Sequence, residues 1–154
     1  MGSNRIYQNI IENSSGTIGL GIQVAEHSHN WSIFNNTIVN VTDGILFRFS
    51  DSNTNIRWGN NLIHGGSTAV NAGEWQGPLP ADGRNLYYSN QYWAHQYVSY
   101  RSLSAWFGAV PSDSTSVSAD PRLIGVSSGN YRLSADSPAR NLGRDLLDLN
   151  RNGS

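Results

Sequence analysis

The sequence predicts an all-β fold, a single-stranded right-handed parallel β-helix of about four to five coils. A recurring phrase of alternating apolar residues and asparagine is the first ground for it. The phrase reads Ile6-Tyr7-Gln8-Asn9-Ile10-Ile11, then Ile33-Phe34-Asn35-Asn36-Thr37-Ile38, then Trp58-Gly59-Asn60-Asn61-Leu62-Ile63, and more loosely Tyr87-Tyr88-Ser89-Asn90-Gln91-Tyr92. Its key asparagines, Asn9, Asn36, Asn61 and Asn90, are spaced by 27, 25 and 29 residues. Self-similarity at that period means stacked coils, because one coil cannot bury its own apolar face. The second ground is period-two alternation in short runs broken by Gly, Asn, Asp and Ser, which fits three short strands per coil. The third is that two coils align apolar on apolar: Ile22 with Ile45, Val24 with Phe47, Trp31 with Ile56, Ile33 with Trp58, Ile38 with Ile63.

The elements follow in chain order. Gly21 to Val24 alternates as a strand, Glu26 to Asn30 is a polar turn, and Trp31 to Ile33 is a second strand. Asn35-Asn36 makes a corner, and Thr37 to Val39 is a third strand. The next coil repeats this order from Gly44 to His64. The matched apolar columns point inward; alternation then turns Gln23, Leu46, Arg48, Ser32 and Arg57 outward. Asparagine suits the corners because it tolerates left-handed backbone, and stacked asparagines can hydrogen-bond from coil to coil. Glu74 to Arg84, with Gly77-Pro78-Leu79-Pro80 and Asp82-Gly83, reads as a side loop. Residues 102–107 read as a short helix with Ser102 as N-cap and Gly108 as stop. The chain divides into repeated coils at 4–101, helix and linker at 102–118, a terminal coil at 119–145 and a polar tail at 146–154. The repeat starts at Asn4 without a capping element, so the chain reads as a fragment of a longer protein.

Composition narrows the chemistry. The 154 residues suffice for one domain with a core. The formal net charge is −1 and no basic stripe occurs, which argues against nucleic-acid binding. All ten basic residues are arginine, so no lysine can serve as base, Schiff-base nucleophile or phosphate ligand. Cysteine is absent, which excludes disulfides and thiolate metal sites. No apolar run is long enough to span a membrane, and no signal peptide is visible.

Ser118-Ala119-Asp120-Pro121-Arg122-Leu123, Gly129-Asn130-Tyr131-Arg132-Leu133 and Ser137-Pro138-Ala139-Arg140-Asn141-Leu142-Gly143 together resemble the C-terminal coil of right-handed parallel β-helix repeat proteins, the pectate-lyase-like superfamily. The short helix carrying Trp106 and the upstream repeats fit the same resemblance, which covers about residues 4–145. It implies a bacterial secreted or cell-envelope protein that binds or cleaves polysaccharide, with catalytic groups on an outward strand face. Other members of that superfamily are adhesins or have no known activity.

The candidate residues follow from facing. Gln23, Glu26, His27, His29, Arg48 and Arg57 fall on outward strand positions or the adjoining turn. A lyase needs a base for the proton alpha to a uronate carboxylate and a cation to neutralise that carboxylate. His27 can supply the first, Arg48 and Arg57 the second; the alternative is a solvated polar surface. Trp75, with Glu74 beside it, can stack on a sugar face or instead pin the side loop. His27 and His29 can share a metal but show no third ligand. Asp148, Asn150 and Asn152 match the opening of a calcium loop, whose closing ligand the sequence lacks. Three functions stay open: polysaccharide binding, a polysaccharide lyase or glycosidase fragment, and a structural or adhesive scaffold. No cofactor is expected, and the exposed first coil invites self-association.

Overall fold

The short period-two runs become strands that climb from turn to turn. The computed structural model describes residues 4–13, 19–48 and 54–143. Its strands are β1 (Asn4–Tyr7), β2 (Ile10–Glu12), β3 (Leu20–Val24), β4 (His29–Phe34), β5 (Thr37–Val39), β6 (Asp43–Phe47), β7 (Thr54–Gly59), β8 (Leu62–His64) and β9 (Thr68–Ala72). They continue as β10 (Ala81–Gly83), β11 (Leu86–Tyr88), β12 (Tyr92–His95), β13 (Val98–Tyr100), β14 (Val117–Ser118), β15 (Leu123–Gly125) and β16 (Asn130–Leu133). Three sheets result: β1-β4-β7-β10, β2-β5-β8-β11-β14 and β3-β6-β9-β12-β13, here called the first, second and third sheets. Every contact between successive turns is parallel; β12–β13 alone within these sheets is antiparallel. This is a parallel β-solenoid of about three regular turns. A fourth, irregular turn (β10–β12) shifts register at Gly83 and again between Tyr92 and Ala94.

All five expected apolar columns form. Ile22 pairs with Ile45 and Val24 with Phe47; Trp31 pairs with Ile56, Ile33 with Trp58, and Ile38 with Ile63. In the second sheet the column runs Ile11, Ile38, Ile63, Tyr87. Ile33, Ile38, Ile45, Trp58, Ile63 and Tyr87 are completely buried. Each such side chain stabilises the fold by about 1.5–3 kcal/mol through burial.

The corner asparagines do two different jobs. Gln8, Asn35, Asn60 and Arg84 take left-handed backbone, with φ between 53° and 57°. The residues that follow them stack into a ladder. Asn9 Nδ2 donates to Asn36 Oδ1 at 3.0 Å, Asn36 Nδ2 to Asn61 Oδ1 at 3.1 Å, and Asn61 Nδ2 to Asn85 Oδ1 at 3.3 Å. Each Oδ1 also accepts the backbone N–H of the preceding rung, so buried main-chain donors are satisfied as well. The fourth rung is therefore Asn85 and not Asn90. The side loop shifts the phrase, so Leu86 pairs with Leu62 and Asn90 instead donates to Gly65 O at 2.6 Å.

The ladder ends on Asp113, a fully buried carboxylate. Its Oδ1 accepts from Asn85 Nδ2 at 2.9 Å and from Ser116 Oγ; its Oδ2 accepts from Tyr87 OH and Trp106 Nε1, both at 2.7 Å. Burial raises the Asp113 pKa, opposed by these donors, and burial beside Asp113 pushes the Tyr87 hydroxyl well up. Trp106 belongs to α1 (Leu103–Ala109), which Ser102 caps by accepting the Ala105 N–H at 3.2 Å. The helix runs through Gly108, one residue past the expected stop.

The side loop is shorter than expected. Ala81–Gly83 pairs with β7 and serves as the first-sheet strand of the fourth turn. Residues 119–143 add no further coil to the three sheets. Leu123 and Gly125 pair antiparallel with Leu133 and Asn130 in a separate hairpin. This C-terminal strap touches the solenoid where Arg84 Nη1 donates to Leu142 O at 3.2 Å and where Gly143 meets Asn60. Glu12 also pushes the Tyr131 hydroxyl up to about 12. At the opposite end β1, β2 and β3 are outermost, and Ile10 and Leu20 are exposed.

Candidate functional site

The third sheet turns its outward row, Gln23, Leu46 and Asn71, toward one face. Leu46 is nevertheless buried, and it lines a pocket together with Tyr97 of the turn after β12. Gln96 and Tyr97 make that turn between β12 and β13, with φ of 50° and 62°. Two successive positive φ values mark a type I′ hairpin turn, which Asn-Gly fills cheaply and an aromatic residue does not. Tyr97 N donates to Gly73 O at 2.8 Å, anchoring the turn on the preceding coil. The Tyr97 side chain projects from it, leaving the residue 77 % exposed.

A shallow pocket of about 250 Å³ lies beneath, lined by Leu46, Arg48, Asn71, Gly73, Glu74 and Tyr97. Arg48 Nη1 sits 3.5 Å from Glu74 Oε2 across the adjacent turns, both side chains still partly solvated. Such a half-exposed pair adds less than about 1 kcal/mol to stability. Asn71 is held in place: its Nδ2 donates to Asp43 Oδ1 and its Oδ1 accepts from Gly73 N, both at 3.2 Å. One aromatic ring, one cation, one carboxylate and one amide thus share an open surface.

The structure separates the other candidates. Gln23 is exposed on this sheet and Glu26 and His27 on the turn after β3. His29 Nδ1 bonds Thr54 Oγ1 at 2.8 Å. Arg57 lies on the first sheet, away from Arg48, and is gripped by Asp82 through contacts of 3.0 and 2.7 Å. Its hydrogen bond to Asp82 raises its pKa, fixing it as a cation. Trp75 corrects the expectation of a sugar-stacking ring: it is 5 % exposed, edge-on to Phe47 at 5.7 Å, with Nε1 directed at Pro78 O. It pins the side loop to the core. The exposed ring is Tyr97, which lies in a Gln-Tyr turn with no glycine to announce it.

Among the described residues no group of three His, Asp or Glu side chains gathers to hold a metal, and His27 and His29 gain no third ligand. Asp148, Asn150 and Asn152 lie outside the described residues. No described helix is long and apolar enough to cross a membrane. Comparison with protein-family models, curated proteins and solved structures finds no match to this chain.

Proposed function

We propose that the outer face of the third sheet around Tyr97 binds polysaccharide. The observation that carries this reading is the largely exposed Tyr97 ring, held on left-handed backbone beside Arg48 and Glu74. Residues kept in sparsely populated backbone regions cost stability and concentrate at sites of function. An exposed ring packs on the apolar face of a sugar, while Glu74 accepts from hydroxyls and Arg48 and Asn71 donate to oxygens. An open, shallow pocket suits a segment of a chain better than an enclosed small molecule. The reading fits a cell-envelope or extracellular protein of the pectate-lyase-like kind, a placement supported only by the resemblance of its repeats.

Electrophoresis in native gels cast with uronate-rich and neutral polysaccharides tests it. Retardation of the parent, lost in Tyr97→Ala and kept in Arg57→Ala, is the expected result. Equal mobility in every gel overturns the reading and favours a scaffold.

A further inference from the structure

A second cleft lies on another side of the molecule, between the asparagine corner and the C-terminal strap. We propose that it binds a small carboxylate with an apolar body, independently of the surface around Tyr97. The cleft measures about 380 Å³, within the range of small-molecule sites. Two guanidinium-bearing residues, Arg84 and Arg140, line it, and no Asp or Glu does among the described residues. Neither arginine has an ion-pair partner among the described residues. Arg84 uses one donor on Leu142 O, and a guanidinium has five. Two such forks without an acid between them are complementary to a carboxylate.

The backbone adds a second, separate observation. The corner column that begins Gln8, Asn35, Asn60 continues with Arg84, all left-handed. Asparagine suits this conformation, whereas a long side chain is strained there. Gln8, the other long side chain of the column, sits exposed on the outermost coil; strain kept at Arg84, inside the stack, points to a use for its side chain. Four leucines, Leu62 and Leu86 from the second sheet and Leu133 and Leu142 from the strap, supply the cleft's apolar walls; Asn35, Asn36, Thr37, Asn60 and Asn61 share the lining, and the amides of Asn36 and Asn61 are already engaged in the ladder. The four leucines give a ring or branched aliphatic body a surface to bury against, which a polyhydroxylated one would not use.

Calorimetric titration of the full chain with cyclohexanecarboxylate, its neutral amide and glucuronate tests the proposal. Cyclohexanecarboxylate is expected to bind about tenfold tighter than either of the other two. Arg140→Ala should weaken it about tenfold, and so should Arg84→Asn, which suits the left-handed corner and should keep the parent's melting temperature. Tyr97→Ala should leave it unchanged, which separates this site from polysaccharide binding. Equal binding of the amide, no heat with any ligand, or unchanged binding in Arg140→Ala overturns the carboxylate site. Tighter binding of glucuronate overturns the apolar body. Should Arg84→Asn fail to fold, exposed Arg140 decides the matter alone.

Discussion

Replacing Asp113 by asparagine keeps its size and removes one property, the capacity to accept on both oxygens. The partners split evenly. Oδ1 faces Asn85 Nδ2 and the Ser116 hydroxyl; Oδ2 faces Trp106 Nε1 and the Tyr87 hydroxyl. The hydroxyls can reverse, but the Trp106 N–H donates only, and Asn85 cannot flip without dropping the two bonds its Oδ1 accepts from Asn61. In either rotamer the new NH₂ meets a donor. A buried donor left unmet costs about 1–3 kcal/mol, so Asp113→Asn should lose about 2 kcal/mol and roughly 4–8 °C of melting temperature. A neutral Asp113 carries one proton, which can point to the Tyr87 oxygen while Trp106 still donates to the same carboxyl oxygen. Burial raises the Asp113 pKa, so its contribution is fully present below the ordinary carboxylate range near about 3.9 and declines as pH rises through the raised value. The deficit of Asp113→Asn should therefore be largest at low pH and shrink toward neutrality. Urea melts at several pH values measure both quantities. An asparagine variant as stable as the parent at low pH would refute the argument that both oxygens at the end of the ladder must accept.

Other outcomes follow from the same geometry. Asn61→Asp puts an acceptor where the third rung must donate to Asn85 Oδ1 and Ile33 O, and should cost about 3 kcal/mol or more, whereas Asn9→Ala at the exposed end should cost less than about 1 kcal/mol by chemical denaturation. Exchanging Gln96-Tyr97 for Asn-Gly should raise stability by about 1 kcal/mol in a thermal melt while abolishing retardation by polysaccharide. Arg57→Ala removes a half-exposed ion pair and should change stability by less than about 1 kcal/mol, decreasingly so as salt is added. Ile10→Lys on the outermost second-sheet strand should suppress concentration-dependent association in sedimentation velocity.

The repeat made the stack legible because each coil faces the same requirement. An inward position must be apolar in every turn, so Ile33 and Trp58, or Ile38 and Ile63, could be matched before any coordinates. The ladder was legible through Asn61 for the same reason. It was lost at Asn85 because the side loop changes the spacing, and nothing local distinguishes Asn85 from Asn90. Asp113 carries no repeat signal at all; its role depends on Tyr87, Trp106 and Asn85 meeting from distant parts of the chain. Arg48 was found by facing, since outward alternation predicts it, and Glu74 as the neighbour of Trp75 at the root of the side loop. Trp75 is buried and Tyr97 exposed because a loop's path decides which ring is covered, and periodicity does not reach into loops. The corner position of Arg84 was likewise hidden by the shift after the side loop.

The polysaccharide reading is tested most directly by amide hydrogen exchange with and without a polysaccharide that retards the protein. The account predicts added protection at residues 46–48, 71–74 and 96–98, which flank the pocket under Tyr97, and its loss in Tyr97→Ala. Protection confined to other faces, or unchanged exchange at every one of these amides, would contradict it.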